Sequence, residues 1–589
     1  MLPGWLPLYL LRMNLGTKPI NRRQMLGLSG LAALGGLASV QSAGAEPVAG
    51  KTVLPFFNVV DFGTVNDGTR LASDAINQAI NRCHDVGGGT VYVPPGTYLC
   101  GTVELKSNVT LYLEGGATLL GSKKLSDYTP HPYSQIEEKI KSRAAFENDT
   151  HDTSSFHLLF ARDAENITLA GPGRLDGQGP AFWIPSGRKP FPPENAWQDV
   201  ATLVWKGVPR PSPMLEFYRC KNLRIEEVQI TNSAGWTLRP VDCTNVFIRG
   251  ITIKNPYGVN TDGMDIIGCK NVFISDSLID TGDDAICLKS EAPYGGDVPV
   301  SKNITITNCV LTCCCNGLKF GTAGYGRFEN VNFSNSIIFN EDVPLPSRVI
   351  SGIALEIVDG GSLEGIMVSN IRMQRVRTPL FVRIGRRHLN AEGRPGTIRG
   401  VRIENIQATG SILTSSITGL PESHVEEITL SGIQIRSEEN GKADWCKREI
   451  PGQETAYPEA RMFGRLPAYG LYCRHVKGLK LQQMEFIGGE SEERPAIFCD
   501  QVKNLKINGL DSTPTAADQP VIMLKQVAGA SIQGCTAPPG AKTYIEIQGD
   551  QTRQVVLTNN LLVGLEKAVA TAQDVPPDAV VAAFNVGGQ

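Results

Sequence analysis

Excess charge is the first thing missing from this chain. Its 589 residues carry 56 lysines and arginines against 59 aspartates and glutamates, a formal net charge of −3. Nucleic-acid binding needs a basic surface, so no nucleic-acid partner is expected. Histidine is sparse and scattered, 7 in all, and builds no visible metal cluster. The 14 cysteines include no Cys-x-x-Cys pair matched by a second at zinc-finger spacing, which argues against a zinc site. No metal and no other cofactor is expected. Aromatic residues are 7% of the chain. The apolar stretch Leu26–Val40 is too short to span a bilayer comfortably.

What the chain has in quantity is glycine, 62 residues, and repetition. The N-terminal segment 1–45 reads as an export signal. Asn21-Arg22-Arg23-Gln24-Met25-Leu26 looks like a twin-arginine signal, followed by the small-residue apolar stretch and Ala43-Gly44-Ala45 as a cleavage site. A membrane anchor is the alternative, and Met13 is a second candidate start. This implies a protein exported to the periplasm or the exterior, with the twin-arginine machinery as a partner and no membrane association after cleavage. The mature chain, 46–589, reads as one catalytic domain.

Ser73–His84 has the pattern of an amphipathic helix, with Ala75, Ile76, Ala79, Ile80 and Cys83 on one face, ended by Gly87-Gly88-Gly89. Its expected place is a cap over the first turn of a solenoid. Repeats follow. Cys220-Lys221-Asn222-Leu223-Arg224-Ile225 is matched by Cys243-Thr244-Asn245-Val246-Phe247-Ile248 and by Cys269-Lys270-Asn271-Val272-Phe273-Ile274. Ser301-Lys302-Asn303 and Phe328-Glu329-Asn330 continue the series. Later copies begin near Leu363, Ile398, Val425, Val476, Val502, Val527 and Thr552. Each copy alternates apolar and polar residues and breaks at a turn, the mark of stacked short strands. Asn222, Asn245, Asn271, Asn303 and Asn330 are expected to form a side-chain ladder. Cys220, Cys243 and Cys269 are expected to stack inside as free thiols. Two long inserts, Phe182–Ser212 and Glu439–Pro467, read as loops walling a binding face.

The densest chemistry lies between Asn260 and Ser290. Asn260-Thr261-Asp262-Gly263-Met264-Asp265 precedes Gly282-Asp283-Asp284 by one repeat, with Asp262 and Asp283 21 residues apart. One turn of a solenoid puts such residues about 4.8 Å apart. Three carboxylates on one patch cannot all ionise comfortably, so one should hold a proton near neutral pH. An acid beside a base is what glycosidic hydrolysis needs. Capping of turns by these aspartates is the plainer reading.

These motifs resemble glycoside hydrolase family 28, the polygalacturonase family, from about Phe57 onward. The resemblance implies an all-β, single-stranded right-handed parallel β-helix, expected here from about Val53 to about Val563 without a separate carbohydrate module. It implies an inverting hydrolase of pectic polysaccharide. Asp283 would be the general acid. Asp262 and Asp284 would activate water, and Asn260 and Asp265 would support the substrate-binding network. The family's Gly-His-Gly is replaced by Cys315-Asn316-Gly317, which puts Asn316 where the histidine stands. The family's Arg-Ile-Lys, which binds substrate carboxylate, falls by turn count on Ala354-Leu355-Glu356. Arg383-Ile384-Gly385 fits better by letters but lies a turn later. Lys319, Arg383, Arg386 and Arg387 are candidate replacement cations. Lys289 is a candidate for orienting the acids, with an ion pair as the alternative. A rhamnogalacturonan-type or exo-acting pectic hydrolase, a calcium-dependent polysaccharide lyase and a non-catalytic glycan-binding protein are the other readings.

Overall fold

A computed structural model describes residues 55–130, 156–189, 202–207, 209–258, 260–341, 349–513 and 519–587. Residues 1–45, expected to be an export signal, and residues 190–201 of the first insert lie outside them. Apolar residues two apart, such as Val246 and Ile248, turn inward while Phe247 between them stays outside. The next turn repeats this in register. Val246 pairs with Val272, Val272 with Ile304 and Ile304 with Val331, all in parallel. Each fully buried valine or isoleucine contributes about 1.5–3 kcal/mol. A one-residue slip would expose the whole row, so the pattern itself specifies the register.

The strands form three parallel ladders, visited in the same order on every turn. Around the central motif the first holds Lys221–Glu226, Thr244–Arg249 and Lys270–Ser275. The second holds Gln229–Thr231, Thr252–Asn255 and Leu278–Thr281. The third holds β1 (Leu215–Tyr218), β2 (Leu238–Val241), β3 (Met264–Ile267), β4 (Ile286–Ser290), β5 (Asn316–Gly324), β6 (Ser351–Ile357), β7 (Thr378–Ile384), β8 (Ser415–Thr418) and the start of β9 (Leu471–Ile487). The result is a parallel β-helix, right-handed as parallel crossovers almost always are. Helix α1 (Ser73–Asp85) buries Ile76, Ala79, Ile80 and Cys83 against the first turn; Ala75 is half-buried. At the far end the solenoid outruns the expected Val563, because Lys567–Thr571 and Val580–Ala583 still pair with the preceding turns.

The asparagine ladder forms and is longer than expected. Asn271 donates to Asn245 at 3.0 Å and accepts from Asn303 at 3.0 Å, and the chain of amides runs back through Asn222 and Asn166 to Asn108. Each of these residues has φ between +55° and +65°, where asparagine is tolerated better than most side chains. Asn271→Ala should therefore cost about 1–3 kcal/mol from two lost hydrogen bonds. Asn271→Gly, which keeps the backbone freedom, should lose less; comparison of the two midpoints in denaturant checks this. The thiols of Cys220, Cys243 and Cys269 are buried, unbridged and stacked, and backbone N–H groups of Cys220 and Cys243 point at the next sulfur at 3.3 and 3.4 Å.

Both inserts leave the corner between the second and third ladders. The first is not simply a loop. Trp183–Lys189 and Thr202–Gly207 pair as an antiparallel hairpin just before β1. The second, between Ser437 and β9, lies over the outward face of the third ladder. There Ile450, Ala460, Phe463 and Leu466 bury Ala354, Phe381 and Tyr472.

Candidate active site

The same corner carries the acids. Asp262 sits on the turn entering β3, Asp283 and Asp284 on the turn entering β4, and Asn316 opens β5. Backbone bonds lock these turns together: the Gly263 N–H donates to the Asp284 carbonyl at 2.9 Å, and the Ala285 N–H to the Asn316 carbonyl at 2.9 Å. The motif glycines have a packing reason. A β-carbon on Gly263 would lie 2.4 Å from the Ala285 carbonyl oxygen, and one on Gly282 would lie 2.5 Å from the Thr261 hydroxyl. Larger residues would push the acid-bearing turns apart.

The three carboxyl groups are made unequal. Asp284 is almost fully buried. Its Oδ1 accepts from the Asn316 backbone N–H at 3.0 Å and the Asn316 amide at 2.7 Å, and its Oδ2 from the Lys319 ammonium at 3.0 Å. Burial pushes its pKa up, but Lys319, Asn316 and Lys289 outweigh burial and hold the carboxyl below its ordinary range. Among the described residues Asp283 accepts only its neighbour's backbone N–H, at 2.9 Å, and the Cys315 thiol. Burial and then the Asp284 charge raise it to about 6. Asp262, with Oδ1 buried and making no hydrogen bond, is raised well above the ordinary range by burial and then by Asp283, Asp265 and Asp284. Of the pair expected to activate water, Asp284 is shifted toward its ionised form and Asp262 toward its protonated form.

The remaining expected site residues divide. Asn260 stands at φ +49° just ahead of Thr261, whose hydroxyl donates to the Tyr257 carbonyl at 3.2 Å. Asp265 is fully buried on β3, 4.0 Å from the Lys289 ammonium. Glu356 is buried 3.9 Å from Lys319 with neither oxygen hydrogen-bonded, and burial raises it to about 8. The strand pairing follows the turn count: Lys319 pairs with Ala354, and Glu356 with Arg383 one turn further on. None of the expected replacement cations faces the acids as a free charge. Lys319 bonds Asp284 and reaches the Tyr457 hydroxyl at 3.2 Å. Arg383 donates to the Gly452 and Gln453 carbonyls at 2.6 and 3.2 Å, beneath the second insert. Arg386 binds Glu422 and Glu454, and Arg387 binds Asp359.

Two contacts escaped the sequence reading. Tyr457 comes from the insert to lie over Lys319 and Arg387, each 5.5 Å from its ring centre. Its aromatic character was visible, but a partner 138 residues away was not. Cys315 was legible only as the neighbour of Asn316 in the replaced Gly-His-Gly motif. Its Sγ lies within 4.8 Å of a carboxyl oxygen of both Asp283 and Asp284.

This arrangement, an acid raised to about 6 beside a carboxylate held below its ordinary range at one corner of a β-helix, supplies the acid and base that glycosidic hydrolysis needs. Residues 83–454 match the model of glycosyl hydrolases family 28. A probable polygalacturonase from Vitis vinifera is 25% identical over 418 residues, 67% of this chain and 77% of the relative. An exo-poly-alpha-D-galacturonosidase from Dickeya chrysanthemi is 27% identical over 347 residues, 54% of this chain and 55% of the relative. Among solved structures, a hyperthermoactive exopolygalacturonase from Thermotoga maritima superposes with a TM-score of 0.52 at 28% identity, over 65% of this chain and 87% of that one. The match of the family model over more than half of the chain, together with the acids at the corner of the solenoid, identifies the protein as a member of glycosyl hydrolases family 28 and so as a glycoside hydrolase.

Proposed function

We propose that the enzyme is exported and hydrolyses a pectic polysaccharide with inversion at the anomeric carbon. Asp283 protonates the leaving oxygen, and Asp284 takes a proton from the attacking water. The observation that carries this reading is the set of three donors on Asp284. Both its oxygens are engaged by N–H groups, which keeps it ionised and suits it to accept a proton from water rather than to attack carbon. Asp262, held protonated, donates to the same water or to a sugar hydroxyl. A calcium ion at this place would have to displace the Lys319 ammonium and the Asn316 amide, which favours hydrolysis over a calcium-dependent lyase reaction.

The substrate reading rests on the cations. With Ala354 and Glu356 on the turn after Lys319, and Lys319 itself tied to Asp284, the positions expected to hold a uronate carboxylate beside the scissile bond offer no free cation among the described residues. Each good charge-assisted contact is worth about 1.5–3 kcal/mol. Losing two costs roughly 10²–10⁴-fold in kcat/KM on plain oligogalacturonate, so chains with a neutral sugar there, such as rhamnogalacturonan oligomers, are the expected substrates. Kinetics on the two series test this, and equal or better turnover of oligogalacturonate would reject it. Proton NMR of the first product tests the stereochemistry: an inverted anomer is expected, and retention would discard the water-activating role of Asp284. Twin-arginine export of residues 46–589 belongs to the same proposal. Among the described residues no helix is long and apolar enough to cross a membrane.

A further inference from the structure

We propose a second carbohydrate site on this chain: a pocket for the carboxylate of a uronic acid residue, built from Arg383, Thr418 and Arg474 away from the hydrolytic acids. It rests on the pectic reading above. The third ladder sets these residues on successive rungs, Arg383 pairing with Thr418 and Thr418 with Arg474. The two guanidinium groups therefore rise about 9.6 Å apart at their bases with a hydroxyl between them. They line a half-open cavity of about 140 Å³ together with Ile450, Gly452 and Phe463 of the second insert and with Tyr472 and His475. That is smaller than the ~300–1,000 Å³ of pockets for larger ligands, and suits one sugar residue. It begins three turns past the strand that Asp284 enters, about 14 Å along the axis.

The cavity is cationic. Arg383 spends one nitrogen on the Gly452 carbonyl and turns another toward the Thr418 hydroxyl at 3.4 Å. Arg474 bonds the Ile450 carbonyl at 2.6 Å, while its Nε makes no hydrogen bond and lies 3.6 Å from Asp500. Lys525, the strand partner of Asp500 on the next rung, adds its positive charge to the surroundings of that carboxylate. Glu454, the acid lining the cavity, is bound by Arg386. His475 is held neutral, its pKa pushed down to about 4 by burial and then by Arg474. With Glu454 bound by Arg386 and only Asp500 beside Arg474, the two arginines facing this small space outnumber the acid left to them, which favours one added carboxylate, and arginine binds carboxylates in a fixed planar geometry. The rings of Phe463 and Tyr472 offer apolar walls for a sugar's C–H face.

The carboxylate can come from a remote residue of a chain bound at the acids or from a free uronate released by hydrolysis, and titration calorimetry on the full chain separates them. The ligands are D-galacturonate, its methyl ester and a galacturonate-containing oligosaccharide, the last on an Asp283→Asn background. Wild type should bind a uronate form but not the neutral ester. Arg474→Gln should weaken that binding about ten- to hundredfold, with Arg474→Lys in between and Tm checked for each. An effect on the monomer assigns the site to free uronate; an effect on the oligosaccharide alone assigns it to the substrate chain. Either supports the site. Binding of the ester as tight as the acid, or unchanged affinities in folded Arg474→Gln, overturns it, and if Arg474→Gln fails to fold, unchanged affinities in Arg474→Lys do so. Unaltered pectic hydrolysis alongside that result rejects the pocket alone, whereas uronate binding without any pectic hydrolysis rejects the reading of the acids alone.

Discussion

Asp283→Asn should lower kcat by about 10²–10⁴-fold, the usual cost of removing a general acid, while leaving substrate affinity nearly intact. Asparagine keeps the size and the contact with the Asp284 N–H but cannot give a proton to the leaving oxygen. The pH profile carries a second signature. Asp283 is raised to about 6, so in the free enzyme it loses its proton as pH rises through about 6, and kcat/KM should fall on that alkaline side. The residual activity of Asp283→Asn should lack this limb. A substrate with a good leaving group needs little protonation and should recover much of the loss. Near-native turnover of the variant on a poor leaving group would show that another residue is the acid.

Lys319→Met should lower both stability and rate. Lys319 stands between two buried carboxyl groups, 3.0 Å from Asp284 and 3.9 Å from Glu356. Breaking a buried ion pair on one side typically costs about 3–5 kcal/mol, because the other charge is left uncompensated. The sign with pH is defined. Asp284 is held below its ordinary range in the native state, so it adds stability above the unfolded carboxylate pKa, and that stability is lost as pH falls through its lower folded value. In Lys319→Met this contribution disappears, and Asp284 takes up a proton at higher pH. The acid limb of kcat/KM should therefore move upward, and the stability difference from wild type should shrink at low pH. Denaturant unfolding from pH 3 to 8 together with the rate profile checks both. An unshifted acid limb would mean that Lys319 does not hold Asp284 ionised.

Much of the fold could be read from local pattern, since a solenoid repeats its instructions. The copies expected at Leu363, Val425 and Val476 fall on paired rungs, because each opens an apolar-x-apolar strand whose inward residues must match the turn below. The acids were legible for the same reason: one repeat between Asp262 and Asp283 means one rung. What stayed hidden depends on contacts between distant segments. The alternation does not distinguish Lys319 facing a substrate from Lys319 facing Asp284, as both place it outward on β5. The tripeptide around Arg383 suggested a cation beside the scissile bond, but its bond to the Gly452 carbonyl, and so the pocket it lines, depends on where the second insert settles. Proline and aromatic content marked residues 182–212 as an insert, but the antiparallel pairing inside it has no turn signature strong enough to read.

The corner between the first and second ladders has a consequence for how such an enzyme can change. Downstream of the acids, single strands run straight through it: Arg327–Phe339, Ser362–Gln374, Thr397–Ser411 and Val425–Ser437. One left-handed residue, Asn335, Asn370, Asn405 or Gly432, makes each bend. A bend of one residue with stacked partners above and below leaves no room for added chain. The longer excursions, residues 291–300, 385–396 and 438–470, all begin or end on the third ladder. Insertions and deletions are thus channelled to the rim of the catalytic face. A lineage of such proteins can acquire new selectivity by trial in those segments while the register that aligns the acids is inherited unchanged.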